Sequence, residues 1–171
     1  MNASTTVPAL ETPIRVRFER LIWLFPLMFA PHIVEEYTQD FSHYVATAMG
    51  GFVMPGPVFL ANNAAFMLIL LSLCAWAALR PSPRSAFFLT CWASGNTFWD
   101  FFVHFYYTVA SGRYSPGLVT ATLLYYPLPL LISYVGIRQG RLTLRATSVA
   151  YAIGLALLLL TIWGGVHHFA T

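Results

Sequence analysis

Residues 57–79 read PVFLANNAAFMLILLSLCAWAAL. No charged side chain occurs in this run, and Asn62, Asn63 and Ser72 are its only strongly polar members. An α-helix needs about 20 such residues to cross the hydrocarbon core of a bilayer. A membrane strand needs about ten and alternates apolar with polar residues, which this run does not. The stretch therefore reads as a transmembrane helix.

Working outward, four further apolar segments are found at about 21–39, 85–110, 116–137 and 146–167. None alternates, so each reads as a helix as well. The whole chain is 58% hydrophobic and 9% charged, against roughly a quarter charged in a soluble domain. Its mean hydropathy is +0.66. The fold class is thus all-α: an integral membrane bundle of about five transmembrane helices. Residues 1–20 are expected to form a cytoplasmic tail, disordered to interfacial, and 21–171 a single domain, since one bundle uses the whole length. The run Leu21–Ala30 could pass for a signal-peptide core but is expected to be a signal anchor. Cys74 and Cys91 lie within apolar segments and read as small packing residues.

Every basic residue is Arg. Arg15, Arg17 and Arg20 precede the first segment, Arg80 and Arg84 join the second to the third, and Arg138, Arg141 and Arg145 join the fourth to the fifth. Arg113 stands alone on the other side. The positive-inside rule then places the N-terminus in the cytoplasm and the C-terminus outside. Arginines so distributed set topology, and no nucleic-acid partner is expected despite a pI near 9.1. The outer connection from Phe41 to Pro57 reads either as a lid over the bundle or as a plain loop.

Polar residues inside the spans are few and ordered. His32, Glu35 and Glu36 share one face of the first helix at i, i+3 and i+4. Asn96, Asp100 and His104 recur every four residues on the third. Asn62 and Asn63 open the second helix, while His167 and His168 close the fifth. With a rise of about 1.5 Å per residue from the nearest inner Arg, His32 lies about 18 Å up, Glu36, Asp100 and Asn63 about 24–25 Å, His104 about 30 Å and His167 about 33 Å. Four helices bring their polar groups to the outer half of the bilayer.

Glu35, Glu36 and Asp100 would be three negative charges with no Arg at their depth. Unpaired burial of that kind is prohibitive, so either protons are shared among them or a cation is bound. Mixed His and carboxylate donors suit a divalent transition metal such as iron, zinc or manganese. His32, Glu36, Asp100 and His104 are the expected ligands. Glu35 is expected as general base or further ligand, and Asn62, Asn63 and Asn96 as groups orienting water or substrate. The bland alternative is an interhelical hydrogen-bond network, but such bonds average well under 1 kcal/mol in membranes and compensate buried carboxylates poorly. Pro31 frees the carbonyl of Leu27 about one turn below His32. Pro127 and Pro129 act similarly near Tyr125 and Tyr126, whose phenols either pack or reach the cavity.

The run His32-Ile33-Val34-Glu35-Glu36, with Asp100-x-x-x-His104 and the turn Tyr114-Ser115-Pro116-Gly117 following in order, resembles the HXXEE-domain family of small bacterial membrane proteins over roughly residues 21–135. The resemblance implies a multi-pass protein of the bacterial cytoplasmic (inner) membrane. The family has Asn where Asp100 stands, which leaves two roles open for this residue, metal ligand or orienter of a neighbouring His. No chemistry comes with the resemblance.

The leading expectation is a metal-dependent membrane enzyme acting by hydrolysis or oxidation on a lipid-like or hydrophobic substrate, with the bilayer itself as partner. A metal-free acid–base isomerase or cyclase is one alternative. A proton- or metal-coupled carrier is another, although the inner halves of the helices offer few polar groups beyond Ser94 and Ser133 for a pathway.

Overall fold

The computed structural model describes residues 16–167, with side chains through Gly164. All regular structure among them is helical: α1 Phe18–Leu21, α2 Leu24–Thr38, α3 Phe41–Ala48, α4 Gly56–Leu79, α5 Pro83–Ser94, α6 Asp100–Ser111, α7 Leu118–Thr120, α8 Pro127–Arg138 and α9 Leu144–His167. Two π-helical turns, Gly95–Trp99 and Ala121–Tyr125, join α5 to α6 and α7 to α8. The chain thus makes long rods where the sequence has apolar runs.

Three of these rods are long and apolar enough to cross a membrane: Gly56–Leu79, Leu118–Arg138 and Leu144–Gly164. The other two apolar segments fall short for a physical reason. The helix α2 has 15 residues and carries His32, Glu35 and Glu36. The continuous run α5–α6 is interrupted by Asn96, Asp100 and His104. The exterior supports a lipid surround, because Leu27, Leu68, Leu123 and Leu160 are each more than 60% exposed. An apolar surface of this extent on a soluble monomer would drive association.

The expected boundary of the tail falls inside the folded body. Phe18 is buried at 2% exposure. Its N–H donates to Gln139 Oε1 at 2.9 Å, and Gln139 Nε2 donates to the carbonyl of Val16 at 2.7 Å. Glu19 pairs with Arg141 at 2.5 Å. Burial opposes ionisation of Glu19, but a backbone hydrogen bond and the Arg141 guanidinium hold its carboxyl below the usual range. Residues 1–15, including Arg15, lie outside the described residues.

The core runs through the middle of the bundle and includes Ile22, Phe25, Leu70, Cys74, Leu89 and Ile132. Cys74 donates to the Ile22 carbonyl at 3.4 Å, and both cysteines are buried. Along α5, the last helix α9 approaches closely because the contact is built from small residues. A Cβ on Gly154 would come 2.1 Å from Ser94 Oγ, and one on Gly95 would come 2.5 Å from the Gly154 carbonyl. Small residues permit such backbone approach between membrane helices.

The π turn at Ala121–Tyr125 has a cause in the sequence. Pro127 has no N–H and crowds the carbonyl four residues back, so the regular ladder cannot continue. Instead the Tyr126 N–H reaches the Ala121 carbonyl at 2.9 Å. The segment 41–57 is not a plain loop. Asp40, at φ 55°, caps α3 by accepting from the His43 N–H at 3.2 Å. Tyr44 Oη to Ser111 Oγ at 3.1 Å and Arg113 to Thr47 Oγ1 at 3.1 Å tie α3 to the end of α6.

Candidate metal centre

Helix α2 supplies His32 and Glu36 one turn apart, and α6 supplies Asp100 and His104 with the same spacing. The two pairs face each other. His32 Nε2 lies 3.6 Å from Glu36 Oε1 and 3.3 Å from Asp100 Oδ2. His104 Nε2 lies 3.5 Å from Glu36 Oε1 and 3.3 Å from Asp100 Oδ2. Two nitrogens and two oxygens therefore alternate round a closed ring. His32, Glu36 and His104 are buried, and Asp100 is partly so.

The spacing is informative. Imidazolium–carboxylate hydrogen bonds close to about 2.7–2.9 Å. These sides are longer, and both Nε2 atoms are buried without a hydrogen-bond partner. In a flat square of such sides the centre lies about 2.4 Å from each atom, so a small inward shift would bring them to the bond lengths of a metal ion to nitrogen and oxygen, about 2.0–2.2 Å. The buried His32, Glu36 and His104 alone could hold a metal ion, their donor atoms lying within 4.8 Å of one another.

The other nitrogen of each ring is occupied. His32 Nδ1 is 2.9 Å from Thr120 Oγ1, and His104 Nδ1 is 2.9 Å from Ser115 Oγ. The Thr120 hydroxyl donates to Glu35 Oε2 at 2.6 Å and so can accept from His32 Nδ1–H. In a neutral imidazole that bond leaves the Nε2 lone pair facing the ring, the arrangement that metal-ligating histidines need. Glu35 therefore stands behind His32, outside the ring. It also accepts from the backbone N–H groups of Val119 and Thr120 and from the Tyr114 phenol. Burial and the bond to Glu35 push that phenol up to about 12. Both oxygens of Glu35 are thus engaged by the segment 114–120.

Asp100 faces the Nε2 atoms and not the Nδ1 atoms. The Nδ1 contacts come from Thr120 and from Ser115 of the turn Tyr114–Gly117. Gly117 completes the cap. At φ +99° it takes a conformation that L side chains rarely adopt, and a Cβ there would lie 2.7 Å from His104 Cε1 and 2.8 Å from His32 Cε1. The turn Tyr114–Gly117 thus closes against both rings.

A cavity of about 180 Å³ opens on the ring where His32, Glu36 and Asp100 line it. Asn62, Asn63 and Asn96 border the same cavity, with walls that include Phe29, Phe66 and Leu158. The segment 41–57 contributes Phe41, Val45 and Met54 to the same walls. Tyr125 lies against His32 with ring centroids 4.2 Å apart, and its buried hydroxyl has no hydrogen-bond partner. Tyr126 packs instead among Phe98, Phe101 and Phe102. His167 has a described backbone only, and His168 lies outside the described residues.

A model of the family described as protein of unknown function with HXXEE motif matches residues 23–134. The chain belongs to the HXXEE family. The matched region contains the whole ring, its hydroxyl anchors and the capping turn, and it ends before α9. The motif of the family name therefore contributes one histidine and one glutamate to the ring (His32, Glu36) and one glutamate to the support behind it (Glu35). No curated protein and no solved structure matches the chain.

Proposed function

We propose that this HXXEE protein is a metal-dependent membrane enzyme whose divalent ion is held by His32, Glu36, Asp100 and His104, and whose substrate is a hydrophobic or lipid-like molecule. The observation that carries the reading is the ring itself: four donor atoms with each nitrogen 3.3–3.6 Å from both oxygens, both Nε2 atoms unpartnered and both Nδ1 atoms engaged. A divalent ion there supplies Lewis acidity toward an oxygen of the substrate or toward water. The chain's own groups do the rest. Thr120 and Ser115 hold the imidazoles, Gly117 lets the turn press against them, and the apolar walls keep bulk water from the cavity.

The same reading places five helices across a cytoplasmic membrane, with α2 and α5–α6 spanning because their polar residues turn inward. Against lipid those residues would be costly. The arginine distribution sets the N-terminus inside.

The test is metal analysis of protein purified in mild detergent. Wild type is expected to carry close to one equivalent of iron, zinc or manganese, with His104→Ala and Glu36→Ala each losing most of it. Folded wild-type protein that carries no metal and takes up none would favour acid–base chemistry on the same four residues.

A further inference from the structure

The cavity beside the ring carries unpaired polar groups of both kinds. Asn63 Nδ2 donates to the Phe59 carbonyl at 3.0 Å, and Asn96 Nδ2 donates to the Trp92 carbonyl at 2.9 Å. A backbone carbonyl only accepts, so these contacts fix which end of each amide is nitrogen. Neither Oδ1 accepts a hydrogen bond from any described residue, and both asparagines line the cavity. Tyr125 also lines the cavity, and its hydroxyl is buried and unpartnered. Of the three only the Tyr125 hydroxyl is buried, and a buried polar group left unpaired commonly marks a place that something else completes.

Charge narrows what completes it. No Arg and no Lys lines the cavity. A divalent ion in the ring would be balanced by Glu36 and Asp100, leaving no net charge to hold an anionic or a cationic head group. A carboxylate or an ammonium placed here would be an uncompensated buried ion. A hydroxyl is the simplest neutral group that both donates and accepts.

We propose that the cavity binds an apolar molecule ending in a hydroxyl group, which accepts from the Tyr125 phenol and donates to the amide oxygen of Asn96, with its chain along the wall formed by Phe29, Phe66 and Leu158. This rests on the reading of the ring as a metal centre and names the class of substrate for it. Tyr125 is on this account a residue that touches the substrate. The π turn that precedes Pro127 carries Tyr125 to the face packed on His32.

The experiment is photolabelling of the protein in phosphatidylcholine vesicles with three diazirine-tagged C16 probes: the fatty alcohol, the fatty acid and the fatty amine. The alcohol is expected to label the cavity wall, with untagged hexadecanol competing. The acid and the amine are expected to label the same peptides about tenfold less, a loss typical of leaving site groups unpaired. Tyr125→Phe, which keeps the ring and removes only the hydroxyl, and Asn96→Leu should each reduce alcohol labelling several-fold, while metal content stays at the wild-type level. Equal labelling by acid or amine overturns the proposal, and so does alcohol labelling unaffected by either variant. Metal content measured on the same samples separates the two readings. Metal-free protein that still prefers the alcohol rejects the metal centre and keeps the hydroxyl site; metal-bearing protein without the preference does the reverse.

Discussion

Asp100 shows how much one side chain decides. Its carboxylate sits 3.3 Å from both Nε2 atoms, in a position symmetrical with that of Glu36. Orientation of the imidazoles is already supplied at their Nδ1 atoms by Ser115 and Thr120. The proposed metal centre therefore counts Asp100 as a ligand. Asp100→Asn keeps an acceptor oxygen but removes the charge, and metal affinity is expected to fall about 10- to 100-fold or more. Asp100→Ala should do no less. Metal retention against a graded chelator distinguishes the roles: an Asn variant that matches wild type while Ala fails would make Asp100 an orienter. The i,i+4 spacing of His32 with Glu36 and of Asp100 with His104 was legible in the sequence because a helix turns that spacing into one face. Thr120 and Ser115 were not, because their partners are 88 and 11 residues away and only the folded turn brings them together. The donors to Glu35 were not legible for the same reason, since Tyr114, Val119 and Thr120 reach it only in the folded chain.

At the scale of elements, the site depends on two helices being held at a fixed distance and on two π turns that set their phase. The turn Gly95–Trp99 directly precedes Asp100, and the turn Ala121–Tyr125 directly follows Thr120. Such insertions recur at functional sites because they shift every later side chain round the helix axis. The apolar runs announced the helices, and Pro127 announced an interruption, but the π geometry of 95–99 leaves no comparable mark in the sequence. That turn is backed by α9 through the contact between Gly95 and Gly154, and Trp99 Nε1 donates to the Tyr151 carbonyl at 2.8 Å. Gly154→Ala would set a methyl against Ser94 Oγ and the Cys91 carbonyl. Overpacking of this sort costs about 1–3 kcal/mol. Thermal unfolding in detergent, followed by tryptophan fluorescence, is expected to shift to lower temperature; an unchanged midpoint would mean that α9 does not press on the turn.

For the whole molecule, apolarity and site chemistry are in conflict, and the two helices that give up apolarity are the two that build the ring. Three helices are long and apolar enough to cross a membrane, and apolar side chains are exposed on them as on α2 and α6. Reporter fusions after residue 82 are expected to behave as cytoplasmic, and fusions after residue 113 or at the C-terminus as external. The opposite pattern would invert the protein and move the ring to the inner leaflet. The most direct test of the central claim is X-ray absorption at the edge of the metal that copurifies with the detergent-solubilised protein. The account predicts a shell of nitrogen and oxygen at about 2.0–2.2 Å, with the outer scattering of two imidazoles, that is lost in His104→Ala. A sulfur shell, a spectrum without imidazole scattering, or a signal that survives the loss of His104 would contradict it.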